Sequence, residues 1–368
     1  MRKRIAFVAV LLVMTLCAAC ALGAGVTLRV FTPFADMDAA AQSYMDMITT
    51  WEEETGNVVE DYSGLMDDKW METMLSMVRA GAADVVVLPM GTGLTQEELV
   101  TVDELLAVTD NLGVRRFDAM TEEDGSVLLS PLRVNWEALY INTDVLEANG
   151  LSVPQTVEQL IAVCSALAGK GVTPIANALC EWAELVLDCM ALASAPAEQF
   201  GTQASLDGAQ QMLAALCAVG AFGKDAFNAT DEDTTAAFLA GEAAMRIDGN
   251  ALAQEVPPER RDSVIVIPMP RPAGQTHSAL AGTVSCGIAI TRACWQDDAR
   301  CDAAITLVRA LLGEDSYRSL AVGVDGALGE SIAKMLGEAT GCAGILYDAM
   351  ETDFDAWQES VISSLMTK

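Results

Sequence analysis

The feature that most constrains this chain is a repeated switch of apolar period between Val26 and Pro89. Residues 26–34 (VTLRVFTPF) have the alternation and β-branched content of a strand. Tyr44, Met47, Ile48 and Trp51 then recur at helical spacing, with Asp38 placed to cap the helix and Gly56 to stop it after Thr55. Residues 57–62 read as a second strand. Trp70, Met74 and Met77 mark a helix over residues 68–80, Gly81 ends it, and residues 84–89 form a third, continuously apolar strand. Two helical crossings among three strands in so short a stretch imply a parallel sheet with helices on both faces, because parallel strands cannot be joined by a tight turn.

The remainder keeps the α/β character with a different rhythm. Strands are expected over 127–131, 133–142, 243–248, 263–268 and 284–290. Helices are expected over 143–148, 156–168, 181–193, 206–218, 231–240, 299–312, 315–322, 330–338 and 347–365. There is no internal repeat, no low-complexity tract and no long linker, so two lobes would have to be joined by short, ordered crossings.

Composition removes several classes of function. The chain has 368 residues, 52% apolar and 20% charged, which excludes disorder and coiled coil and allows a large core. A net charge of −31 repels nucleic acid. The single histidine, His277, stands in a polar stretch and reads as a loop or pocket-rim residue; His-rich metal sites are impossible. Eight of the ten cysteines follow Cys20, and the only C-x-x-C is Cys17/Cys20, so no zinc site is expected. The even count permits disulfides, but free cysteines packed as small apolar residues suit the apolar helical faces that several of them occupy. Gly91-Thr92-Gly93 lacks the third glycine of a dinucleotide loop, and Asp231-Glu232-Asp233 suits a helix N-terminus. No cofactor and no metal are expected. No spacing among the many carboxylates selects a hydrolytic pair. Trp51 reads as core; Trp70, Trp136 and Trp182 are either core or faces on which a sugar ring could stack.

The N-terminus has the layout of an export signal: cationic Arg2-Lys3-Arg4, then an uncharged, mostly apolar run over 5–19. Cys17-Ala18-Ala19-Cys20 resembles a lipoprotein processing site, with 1–20 as the signal peptide and Cys20 as the lipidated residue. Cys17 stands where a Leu is usual, and ordinary cleavage or an uncleaved anchor are the alternatives. No later segment reads as a membrane-spanning helix.

Five stretches, in order, resemble the family-1 extracellular solute-binding proteins, the sugar-binding group of ABC importers: LYINTDVLEANGL at 139–151 followed by Pro154 and Thr156; GVTPIA at 171–176; AFLAGEAAM at 237–245 leading to Asp248-Gly249-Asn250; IPMP at 267–270; and Ala281-Gly282-Thr283. The resemblance spans nearly all of the chain after the signal. It implies an α/β, two-lobed periplasmic-binding-protein-like fold, each lobe a mainly parallel sheet flanked by helices and discontinuous in sequence: 26–132 with 262–312, and 133–261 with 313–368. It also implies a non-enzymatic, monomeric, extracytoplasmic protein that captures a small solute between its lobes by hinge closure and delivers it to membrane permease subunits.

Because ligands of open α/β sheets bind beyond the carboxyl ends of strands, the resemblance implies ligand contacts from Phe34, Asp36, Tyr62 and Met90 in the first lobe. Asn135, Trp136, Trp182, Asp248 and Asn250 are implied in the second, with Gly282 and Thr283 from the returning segment. The chain departs from the family pattern at Val157, Gln159 and Ala251. Ala251 stands where a sugar-stacking Trp is common, which weakens the case for a sugar relative to a smaller or less ring-like solute. A diverged protein for a non-sugar solute, one serving a sensor kinase, and an extracellular hydrolase are the rival expectations.

Overall fold

The computed structural model describes residues 25–35, 38, 40–109, 121–122, 124–181, 183–275, 279–313, 316, 318–339, 341–350 and 353–366. The expected signal peptide with Cys20, and Asp36, Trp182 and His277, lie outside the described residues.

In chain order the elements are β1 (Thr27–Phe31), α1 (Ala41–Thr55), β2 (Val58–Asp61), α2 (Asp68–Arg79), β3 (Val85–Leu88), α3 (Val102–Val108), β4 (Ser130–Asn142), α4 (Thr143–Ala148), α5 (Val157–Ala168), β5 (Thr173–Ile175), α6 (Ala183–Ser194), α7 (Gln203–Ala218), α8 (Asp231–Ala240), β6 (Ala243–Gly249), α9 (Leu252–Glu255), β7 (Val264–Ile267), β8 (Ala279–Ile290), α10 (Arg292–Trp295), α11 (Asp298–Leu312), α12 (Gly326–Glu338), β9 (Gly341–Cys342), α13 (Leu346–Met350) and α14 (Phe354–Met366). The described residues divide into two compact units, one drawn from Met1–Val114, Glu122–Leu132 and Cys286–Leu320, the other from Arg115–Thr121, Arg133–Ser285 and Ala321–Lys368.

In the first unit β1 pairs in parallel with β2 on one side and β3 on the other, as the alternating pattern requires, and the end of β8 adds antiparallel to β3. All four residues of β3 are fully buried, each such Val or Leu contributing about 1.5–3 kcal/mol of apolar burial. Tyr44, Ile48 and Trp51 are the buried face of α1, and Trp51 Nε1 donates to Thr306 Oγ1 on α11 (3.2 Å). Gly56 ends α1 in the left-handed conformation (φ 71°). Asp38 does not cap α1: its Oδ1 accepts from Ala40 N (2.8 Å), one turn too early, and the helix starts behind an uncapped Ala40. Asp84 is fully buried and held by the Arg29 and Arg300 guanidiniums (3.0 and 2.9 Å) and by Arg29 N (2.8 Å), as a buried charge must be.

The second unit is built on β4. Residues 130–142 form one 13-residue strand rather than the two strands expected. β6 and β7 both pair antiparallel with β4, while β5 on β6 and β9 on β8 are parallel, so the pairing here is mixed rather than mainly parallel. α6 and α7 pack on one another and join Leu139, Ile141, Met245 and Ile247 in the core. Residues 262–285, expected with the first lobe, belong here, because β7 docks on β4 and α12 covers β7, with Ser331 Oγ accepting from Val266 N (2.9 Å). Residues 313–320, expected in the second lobe, fall in the first unit. The helix expected over 347–365 is two helices, α13 and α14. Tyr347 and Phe354 meet edge to face at 6.1 Å, whereas seven residues of one straight helix would set them about 10.5 Å apart along its axis. Among the described residues the chain passes between units inside β4, after Leu132, inside β8, after Ser285, and again after Leu320.

Candidate functional site

Just beyond the carboxyl ends of β1 and β2, the first unit carries an open pocket of about 360 Å³ lined by Phe34, Ala35, Asp38, Ala41, Gln42, Met45, Asp61 and Ser63. That lies within the size of small-molecule sites, roughly 300–1,000 Å³, and at the place where α/β sheets bind ligands. One part of the lining is apolar (Phe34, Met45) and the rest offers carboxylate, amide and hydroxyl groups. Phe34 is packed on Tyr44, centroids 5.5 Å apart. Ser63 donates to Asp61 Oδ1 through its hydroxyl (2.6 Å) and its N–H (3.1 Å), and the Tyr44 hydroxyl donates to the same oxygen (3.3 Å). Burial beside Asp61 pushes the Tyr44 phenol far above its usual range, which keeps it a donor.

Of the residues singled out in this unit, Phe34 lines the pocket. Tyr62 does not: it stacks on Phe31 (4.8 Å, interplanar 8°), gives its hydroxyl to Glu60 (2.6 Å) and accepts Trp70 Nε1–H at its carbonyl (3.0 Å). Successive residues of an extended segment face opposite ways, so the pocket receives the neighbours Asp61 and Ser63 instead. Trp70, weighed as a sugar-stacking face, packs on Phe31 (centroids 6.4 Å) and is not in the lining. Met90 is half-buried in the turn after β3 and is not in the lining. Asp38 and Gln42 were missed because they read as parts of a helix start.

In the second unit Trp136 is 2% exposed, with one face on Tyr140 (5.9 Å), which in turn meets Phe238 edge-on (6.3 Å). It packs as a core residue, although its Nε1–H is buried with no partner among the described residues. Asn135 is exposed on the same strand. Asp248 is committed to Arg246 Nε (2.5 Å) and Gly249 N (2.7 Å). The Arg246 guanidinium, 1% exposed, also reaches Asp231 (2.5 Å), Thr234 Oγ1 and the Ala176 carbonyl (both 3.0 Å). The acidic start of α8 therefore has a second task besides the helix terminus: it supplies a counter-ion to a buried arginine. Asn250 is exposed and its N–H bonds the Trp136 carbonyl (3.0 Å). Gly282 is buried at φ 129° and exchanges backbone bonds with Gly344 (3.0 Å each way), a structural position; Thr283 is half-buried.

A smaller cavity in this unit is lined by Glu137, Cys189, Met269, Arg271 and Leu280 among others. Glu137 Oε2 and Arg271 Nη1 are buried there without partners among the described residues. Burial, and then the nearby Asp188, push Glu137 well up; burial also raises Asp188, which accepts from Leu346 N (2.8 Å) and from the Glu137 carboxyl. Burial and the neighbouring carboxylate thus favour the protonated form of Glu137, donating to Asp188. Burial pulls the Arg271 guanidinium down to about 10. No group of metal-ligating side chains occurs among the described residues, and none of their helices is long and apolar enough to cross a membrane. The eight described cysteines are free.

The fold recurs in solved solute-binding proteins. A secreted solute-binding lipoprotein from Streptomyces coelicolor superposes with TM-score 0.67 at 17% identity, covering 93% of this chain and 98% of that one. RafE of Streptococcus pneumoniae gives 0.68 at 18%, covering 93% and 94%. The solute receptor AcbH, whose reported preference is for β-D-galactopyranose, gives 0.68 at 16%, covering 94% and 96%. Among curated proteins no sequence matches the chain. The sequence model of the bacterial extracellular solute-binding proteins matches residues 46–329, well over half of the chain. On that match, this chain belongs to the bacterial extracellular solute-binding protein family.

Proposed function

We propose that this protein is the solute-binding component of an ABC importer and that its solute is a neutral sugar or short oligosaccharide. The observation that carries the reading is the pocket beyond β1 and β2, whose apolar side suits the CH face of a sugar ring and whose carboxylate, amide and hydroxyl groups suit its hydroxyls. Fold relatives that bind sugars support the same class. Capture is by closure of the fold on the solute, with exposed Asn135 and Asn250 as further candidate contacts. A solute drives such closure only through its better affinity for the closed form. No bond in the solute is made or broken, and a membrane permease receives it. Residues 1–20 direct export, and Cys20 carries the lipid that holds the protein at the outer face of the cell membrane.

The test is thermal unfolding of the signal-free protein against galactose, raffinose and xylo-oligosaccharides, with amino acids and polyamines as controls. A sugar at about 100 times its dissociation constant adds roughly 2.7 kcal/mol of stability, which raises the midpoint by several degrees. A flat response across all sugars with a shift for a control solute transfers the reading to that solute class. For the anchor, mass spectrometry of membrane-extracted protein should find a lipid-modified Cys20 as the first residue, and Cys20→Ser should release the protein.

A further inference from the structure

The hydrogen bonds behind the first unit's pocket have a direction. Thr32 Oγ1 and Ser63 Oγ are 2.6 Å apart, and Ser63 Oγ donates to Asp61 Oδ1 (2.6 Å). A hydroxyl has one hydrogen. Ser63 gives its hydrogen to the carboxylate, so it accepts from Thr32; Thr32, its own hydrogen spent, accepts from Phe34 N (3.1 Å). The chain runs one way, from the Phe34 amide through two hydroxyls into Asp61. Tyr44 drives a second hydrogen into the same oxygen (3.3 Å), and Ser63 N a third (3.1 Å). Thr32 and Tyr44 are fully buried, so water does not compete for these groups. Every one of these donors ends on Oδ1. Oδ2 carries no hydrogen bond among the described residues, the carboxylate lines the pocket, and no Lys or Arg is in the lining.

We infer that Asp61 anchors the solute through Oδ2 by accepting hydrogen bonds from its hydroxyls, with Tyr44, Ser63 and Thr32 as positioning residues, and that this carboxylate selects neutral polyols over acidic ones. A carboxylate pinned on one oxygen by three donors presents the other in a fixed direction and can only accept. A solute hydroxyl satisfies it. A solute carboxylate brings like charge with no cation in the lining, which costs affinity. The inference rests on the sugar reading above and adds the residue and the sign of its selectivity.

Titration calorimetry with galactose, raffinose and galacturonate on the wild type, Asp61→Asn and Ser63→Ala separates the two. The wild type should bind at least one neutral sugar and hold galacturonate at least about tenfold more weakly. Asp61→Asn should lose about tenfold or more toward the neutral sugar and most of the preference over galacturonate. Ser63→Ala, which keeps the carboxylate and removes one donor, should lose about three- to tenfold and shift the preference the same way; it carries the test if Asp61→Asn fails to fold. Folded variants with wild-type affinity and preference would overturn the role of Asp61 and leave the sugar reading standing. A wild type that binds no sugar takes down both.

Discussion

Buried charge governs this molecule at the scale of single residues, and the sequence shows the charges without showing their partners. Asp84 ends the loop before β3 and is matched by Arg29 from β1 and Arg300 from α11, more than two hundred positions away. Asp84→Ala should destabilise the protein by about 3 kcal/mol, because two guanidiniums are left behind; they are 26% and 28% exposed, which holds the loss at the low end. Denaturant unfolding checks this, and a loss below about 1 kcal/mol would contradict the pairing. Glu137 makes the opposite case. Its folded-state pKa is raised, so the native protein binds more protons than the unfolded chain above the ordinary carboxylate range. The stability tied to that proton is fully present below the ordinary carboxylate range and is lost as pH rises past neutrality toward the folded-state pKa of about 10, by at most about 1.4 kcal/mol per pH unit for one proton. Glu137→Gln keeps a neutral donor toward Asp188 and should flatten that slope between about pH 5 and 8. An unchanged slope would mean that the proton sits elsewhere.

Periodicity carries the structure at the scale of elements, and it fails where long-range contacts decide. The run β1–α1–β2–α2–β3 was legible because strand and helix periods alternate cleanly and Gly56 closes α1. Position 38 was misread because a short acidic residue before a helix looks like its cap; bonding to Ala40 is visible only in three dimensions. The single strand β4 was misread because Pro131 looks like a break. Tyr62 and Ser63 were both expected at the site because they follow β2, whereas period two separates them and puts Ser63 and Asp61 in the lining without Tyr62; the signal was the alternation itself. Gly282 shows why some glycines cannot change. At φ 129° an added Cβ would sit on the Asn135 carbonyl oxygen and the Trp136 Cα. Gly282→Ala should cost about 1–3 kcal/mol from backbone strain alone, read as a lowered unfolding midpoint in denaturant. A substitution within about 0.5 kcal/mol of wild type would show that β8 can shift away.

At the scale of the whole molecule, charge and chain path matter most. A net charge of −31 on 368 residues makes the folded protein repel itself at neutral pH. Raising NaCl from 10 to 150 mM shortens the screening length from about 30 to 8 Å and should raise the thermal midpoint at pH 7; a fall would mean that ion pairs outweigh repulsion. The existence of two units was legible from the order of the family-like stretches, but the fate of residues 262–285 was not, because the sequence does not say which strand β7 pairs with. The account stands or falls on whether this protein holds one small solute and returns it unaltered. Native mass spectrometry of the signal-free protein, incubated with neutral sugars and then denatured, tests both halves at once. The expected result is one sugar per chain, released at its original mass. Bare protein across the whole panel, or a released sugar of smaller mass, would contradict the account.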